Sequence, residues 1–416
     1  MKNLALIKNY NLDYSKLINY FIVLYAFSIP ISKSLTTISI IFLFLFWILQ
    51  KDYKRKFDEI KNNYFILILL LFIVYSFVAI LWSSDKIFAL DYVRKYYHFL
   101  IIPIIFTSLN KEYLEKVFSA FLFSMLISEI TSYGIFFEIW TKQGISPDDP
   151  SPFMNHSNYS IYLAFTIFIL LHKVLYSKDK GLKLFYLMFL ILSSSNLFLN
   201  GGRAGQFAFI IALFIFGFLN IKNRLKAFVS IFIVGIIILV TSYNISPVFK
   251  DRFNYFLHDI NSMIHKDDYS NSFSLRVALW MTGLEASKEN ILFGTGIGDE
   301  IINAENGINR FNIPPIFGSS DTTNYIDYHS SFIQYLVQLG IVGLIIFILI
   351  FYFLVRIKIK NKVYSNLLYI FVVLYILQST IGLTFHIQKS MIFFTLFTSI
   401  FLVISKYEKE VNSRSN

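Results

Sequence analysis

The sequence predicts an all-α polytopic membrane protein with about twelve transmembrane helices and one large, partly helical outer loop. Three observations lead there. First, 56% of the 416 residues are hydrophobic and only 15% are charged, with a mean hydropathy of +0.59, whereas a soluble chain carries about 25% charge. Second, the apolar residues, 47 Phe and 27 Tyr among them, fall in long uninterrupted runs, and about 20 helical residues cross a ~30 Å hydrocarbon core. Third, Lys and Arg collect between those runs and favour one side. A soluble enzyme is excluded.

The runs place spans at 17–32, 35–50, 64–82, 97–109, 117–140, 157–172, 184–200, 204–220, 227–243, 331–355, 365–385 and 390–405. Lys2, Lys8 and Lys16 precede the first span as in a secretory signal. Ser28-Ile-Pro-Ile-Ser-Lys33 offers no small-x-small cleavage site, however, so the span reads as a retained helix. With the N-terminus inside, inner segments hold 24 of the 37 Lys and Arg residues and outer segments 13. Six of the 13 lie in the long outer loop, which crosses regardless of charge, and discounting them leaves seven. Both termini are therefore expected on the cytoplasmic side. Residues 1–243 carry spans one to nine, 244–330 form the loop, 331–405 carry spans ten to twelve, and 406–416 are an inner tail. Within the loop a helix is expected near 274–290, capped by Ser272 or Ser274, because Val277, Trp280, Met281 and Leu284 recur at helical spacing.

This topology accounts for most of the net charge of +11, with the anionic inner leaflet as its partner. Nucleic acid is not an expected partner; membrane lipids are. The absence of cysteine removes disulfides, thiolate nucleophiles and thiolate metal sites. Six of the seven histidines, all but His172, fall in outer segments or at outer span ends, so chemistry is expected to face outward. No His-Glu-x-x-His, Asp-x-Asp or paired-His pattern appears, and no metal or cofactor is expected. Gly294-Thr-Gly-Ile-Gly298 lacks dinucleotide-binding spacing and reads as a tight turn.

Three outer motifs stand against the charge bias. In Tyr328-His-Ser-Ser-Phe-Ile-Gln, His329 precedes the helix that re-enters the membrane, where the positive helix end disfavours imidazolium and leaves a base-competent ring. Gln334, Gln338, Gly340 and Gly343 follow, polar and small residues that suit close packing inside a membrane. In Gly201-Gly-Arg203-Ala-Gly205, a guanidinium sits in a turn whose glycines admit close approach, suited to bidentate phosphate binding. Arg276 lies in Ser274-Leu-Arg276-Val-Ala-Leu-Trp280 of the loop helix. Further candidates for substrate binding are Arg94 and Lys95 before span four, Arg252 in the loop and His156 at the start of span six. Arg252 can instead pair with Asp251, Asp267 or Asp268, and Arg94 and Lys95, with His98, can instead anchor the interface. Glu129 and Glu138 are ionisable residues within span five, where Glu129 must be hydrogen-bonded or protonated. Glu129, Pro30 and Pro103 within spans would also suit a secondary transporter, but the single late outer loop does not match its mirrored halves.

The arginine in a Gly-rich turn after span seven, Arg-x-x-x-Trp then Gly-x-Gly in a late outer loop, and His-Ser opening the next span with Gly-x-x-Gly resemble the O-antigen ligase and polymerase superfamily. The layout matches over most of the chain, and the motifs lie within about 184–345. The resemblance implies a GT-C-like, metal-independent, inverting glycosyltransferase of the bacterial inner membrane, acting at the periplasmic face in lipopolysaccharide biosynthesis. Its donor would be a glycan on undecaprenyl diphosphate, and the ligase acceptor a sugar hydroxyl of the lipid A core. By the same resemblance Arg203 and Arg276 hold the diphosphate and His329 activates the acceptor hydroxyl. Gly202 stands where a Ser or Thr often precedes the turn arginine. An O-antigen polymerase or a protein O-oligosaccharyltransferase is the alternative within the family. The outer segment 141–156 favours the ligase, since it carries only Lys142 beside Asp148 and Asp149.

Overall fold

The computed structural model describes residues 13–221, 223–245, 247–302, 304–311 and 326–415. Among them the regular structure is helical throughout. The chain runs through α1 (Tyr14–Ile31), α2 (Lys33–Leu49), α3 (Tyr53–Lys61), α4 (Tyr64–Ala79), α5 (Lys86–Arg94), α6 (Ile101–Ser108), α7 (Leu114–Phe136) and α8 (His156–Tyr176). There follow α9 (Lys180–Leu199), α10 (Arg203–Asn220), α11 (Arg224–Ile245), α12 (Pro247–Lys266), α13 (Ser272–Ala286), α14 (Glu305–Phe311), α15 (Ser331–Val355), α16 (Lys362–Thr380) and α17 (Gln388–Ser415). Short polar side chains start many of them. Asp13, Ser32, Asn63, Asp85, Asn155, Asp179, Ser330 and Asn361 each accept from a backbone N–H of the following first turn, one of the donors a helix start leaves unpaired.

Nine helices among the described residues are long and apolar enough to cross a membrane: α1, α4, α7 to α10 and α15 to α17. The predicted spans at 35–50, 97–109 and 227–243 are not among them. The 35–50 run is α2, which turns through 113° into the polar α3 and counts as a tenth span only if the bent pair is taken as one. The 97–109 run is broken, because a 3₁₀ stretch over Lys95–Leu100 leaves only eight α-helical residues in α6. The run at 227–243 lies in α11.

The bundle is built around α17. The buried share of its apolar window is 89%, against 28% for the peripheral α9. Lipid gives apolar helices no reason to associate by hydrophobicity, so contact must come from packing and internal polar bonds. Here interlocked rings supply the packing: Phe371, Phe393, Phe394 and Phe397 lie within 6.1 Å of one another or of Phe121, Phe165 and Tyr375, mostly edge-on or tilted. Polar bonds lock the outer helices. Ser193 on α9 donates to Glu129 on α7 at 2.8 Å, and Asn196 donates to Ser132 at 3.0 Å.

One span is broken inside the membrane region. Gly340 of α15 has φ +66°, outside the helical range, and its backbone meets the segment after α13. Ile341 N donates to Ile291 O (2.7 Å), Val342 N to Leu292 O (3.3 Å), and Thr295 N and Gly296 N donate to Val337 O and Gln338 O. The loop thereby pairs backbone groups that the break would otherwise leave unsatisfied in an apolar setting. A Cβ on Gly294 or Gly340 would come within 2.5 Å of the facing backbone, so this contact requires glycine on both sides. The Gly294–Gly298 turn, with three glycines at positive φ, is thus a tertiary clamp as well as a turn.

Candidate active site

The starts of α8, α10, α13 and α15 bring the sequence-predicted residues to one end of the bundle. Arg203 is the first residue of α10. Its turn is fixed from two directions: Gly202 N donates to Asn200 Oδ1 (2.8 Å) and Gly201 N to Asp149 Oδ1 (2.9 Å). A Cβ at Gly202 or Gly205 would strike Ser160 of α8 at 2.5 Å or less, which explains the glycines flanking the arginine.

The Arg203 guanidinium donates to Ser272 Oγ at 2.9 Å, at the start of α13. It lies within electrostatic reach of Arg252 and Arg276 and of the Asp259 carboxylate. Ser272 and Arg276 are one turn apart on α13, and Arg252 and Asp259 are two turns apart on α12, so each pair shares a helix face. Asp259 performs the capping expected of Ser272 or Ser274: it accepts from Phe273 N (2.6 Å) and Ser274 N (3.3 Å). A carboxylate matches the positive helix end better than a hydroxyl, which leaves Ser272 free to hold Arg203. The helix ends at Ala286, short of the expected 290. Arg252 forms no ion pair with Asp251, Asp267 or Asp268 among the described residues.

His329 sits at the entrance to α15 with φ +49°, a left-handed backbone that costs a non-glycine residue about 1–3 kcal/mol. Asp327 holds it there by accepting from His329 N at 2.7 Å, and its Oδ1 lies 3.7 Å from His329 Nδ1. Burial lowers the His329 pKa below its ordinary value. Asp327 opposes that shift and Arg276 reinforces it, so the ring is neutral at pH 7. Burial also depresses the Arg276 guanidinium, against the pull of Asp327. Asp327 therefore faces both. Ser330 caps α15, accepting from Ile333 N at 3.5 Å, and Ser331 Oγ donates to Gly382 O at 2.8 Å, between α16 and α17.

Behind His329 lies a buried carboxyl that sequence reading missed. Glu300 accepts from Gln338 Nε2 (2.5 Å), Gln334 Nε2 (3.2 Å) and Gly298 N (3.2 Å), while Tyr328 OH donates to its carbonyl (3.0 Å). Burial pushes the Glu300 carboxyl up to about 8. These bonds account for Gln334 and Gln338, and they lock Tyr328 beside the histidine. The two glutamines facing one side of α15 were the available signal, but nothing local pairs them with a residue 34 positions away.

The remaining candidates lie elsewhere or serve as braces. His156 Nδ1 is 2.7 Å from Asp149 Oδ2. Burial tends to raise the Asp149 pKa, but His156 and the Gly201 amide outweigh it and hold the carboxylate below its ordinary range. Arg94 pairs with Asp91 at 2.5 Å, both exposed. Lys95 Nζ is 3.4 Å from His386 Nε2, and the His386 ring stacks on Tyr92 at 4.0 Å. Neither Arg94 nor Lys95 shares a contact with Arg203, Arg276 or His329 among the described residues. No group of three or more His, Cys, Asp or Glu among the described residues is arranged to hold a metal.

Residues 187–348, which contain Arg203, Arg252, Arg276 and His329, match the family described as O-antigen ligase. That segment is similar to the O-antigen ligase family over well under half of the chain. A Haemophilus influenzae protein described as uncharacterized is 27% identical over 242 residues, 54% of this chain and 57% of that protein. The chain thus covers little more than half the length of that relative. The O-antigen ligase match ends at residue 348, inside α15, so it takes in the helix break at Gly340 as well as the three arginines and the histidine.

Proposed function

We propose that this protein is a glycosyltransferase of the O-antigen ligase type in the bacterial inner membrane, with both termini cytoplasmic and its site at the periplasmic face. It transfers a glycan from undecaprenyl diphosphate to a sugar hydroxyl of the lipid A core. The observation that carries the reading is the grouping of Arg203 and Arg276, from separate helices, beside a neutral His329 oriented toward Asp327. The acceptor hydroxyl attacks the anomeric carbon as its proton passes to His329. The bond from that carbon to the diphosphate oxygen breaks, and its electron pair leaves with the diphosphate. Two guanidiniums stabilise that developing charge, and attack opposite the leaving group inverts the anomeric centre. No step needs a metal.

Polymerase activity on the same repeat units is the second reading. The 141–155 segment speaks against it: Lys142 is tied to Pro152 O, and Asp149 braces His156 and the Arg203 turn, so little cationic surface is left for a second diphosphate. Lipopolysaccharide and polyprenyl-linked glycan from a deletion strain distinguish the two. A ligase leaves long polymer on undecaprenyl diphosphate and bare lipid A core. A single repeat still attached to core would overturn the ligase reading.

A further inference from the structure

At the end of the bundle opposite His329, a cavity of about 980 Å³ opens between α3, the start of α4, and the ends of α15 and α17. It is ligand-sized. Its charge is uneven once internal pairs are removed. Arg55 binds Asp52 and Glu59 at 2.6 Å, and Lys406 binds Glu59 at 2.7 Å. The other charged lining residues are Lys54, Arg356, Lys358 and Lys409, from three separate elements, with Asp58 and Glu410, so cations outnumber carboxylates. The deeper wall is apolar: Phe65 and Leu402 are buried, and Phe353 stacks on the membrane-facing Tyr64 at 6.2 Å. A topological charge bias calls for cations at a surface, but not for cations gathered round a recess with an aromatic wall.

We infer that this recess binds the phosphate headgroup of an anionic phospholipid, whose acyl chains run along Tyr64 and Phe353. The sharp turn from α2 into α3 makes the site, because it lays α3 across the bundle end at the level where headgroups lie. Cations near an anionic leaflet favour such lipids over zwitterionic ones. The inference does not depend on the transferase reading.

Native mass spectrometry of the detergent-purified full chain tests it, with phosphatidylglycerol and phosphatidylethanolamine as probes. Phosphatidylglycerol should be retained preferentially. Lys54→Gln/Arg356→Gln/Lys409→Gln should weaken that retention about a hundredfold. The control Lys178→Gln/Lys180→Gln/Lys183→Gln, at the same bundle end but outside the cavity, should leave it unchanged. Equal retention of phosphatidylethanolamine would overturn the inference, as would a triple variant that keeps the lipid, a control that loses it, or displacement of the lipid by millimolar inorganic phosphate. Should the triple variant fail to purify, the exposed Lys409→Glu alone carries the test: a several-fold loss supports the site and unchanged retention refutes it.

Discussion

Two groups of cations that the topology does not require occupy this protein, and they are built in opposite ways. Arg94 and Lys95 are neighbours in sequence and each has a partner of its own, Arg94 in Asp91 three residues earlier and Lys95 in His386 of the His386–Tyr92 stack. Arg203, Arg252 and Arg276 are scattered over more than 70 residues, yet they converge, and the carboxylates near them are already engaged, Asp259 by the α13 backbone and Asp327 by His329. Like charges held together cost free energy unless an anion joins them. The first group therefore reads as interface anchoring and the second as a polyanion-binding site.

The largest effect that could break this contrast is loss of the base. His329→Ala should lower transfer by about 10²–10⁴-fold, measured with a polyprenyl-diphosphate glycan and lipid A core, while membrane insertion stays normal. Arg276→Ala should cost about 10²–10³-fold, because it removes a charge aimed at the leaving group. Activity near wild type in either variant would refute the assigned roles.

A smaller effect separates geometry from charge. Arg203→Lys keeps the cation but loses the planar fork that reaches Ser272, and a loss of about tenfold is expected. Full activity would mean that the turn supplies only a point charge. Asp327→Asn sharpens the site further, since the amide oxygen can still accept from His329 N while the carboxylate charge is gone. Burial and Arg276 lower the His329 pKa and Asp327 raises it, so removing Asp327 lowers it further. The rate falls as pH drops and the ring protonates, and in this variant that acid limb should move to lower pH. A limb that stays in place would assign it to another group.

The smallest effect belongs to the other cation group. Arg94→Ala breaks an exposed pair, which is typically worth about 0–1 kcal/mol, and should change transfer by less than about twofold. A loss as large as that of Arg276→Ala would erase the distinction between the groups.

Hydropathy made the membrane architecture legible because burial in lipid is dictated span by span, and helices α1, α4, α7 to α10, α15 and α16 follow the predicted runs to within a few residues, while α17 continues past its run at 390–405 to Ser415. The same scan missed the 3₁₀ stretch before α6 and the break at Gly340, since both fall in runs whose average hydropathy is continuous and an interrupted helix leaves no trace in composition. Arg203, Arg276 and His329 stood out in the sequence because cations and a histidine in segments expected outside lack a topological cause. Asp327 could have been found two residues before the histidine. Asp259 and Glu300 could not, because their partners are 14 and 38 residues away.

The sequence by itself determined that this chain lives in a membrane and which few residues resist a purely topological explanation, because hydropathy and charge sorting act locally. Only the tertiary structure decided that three arginines share one place, that Asp259 rather than a serine caps α13, and that a glycine loop closes the broken α15. Each depends on backbone and side-chain groups finding distant partners where water is absent to substitute for them.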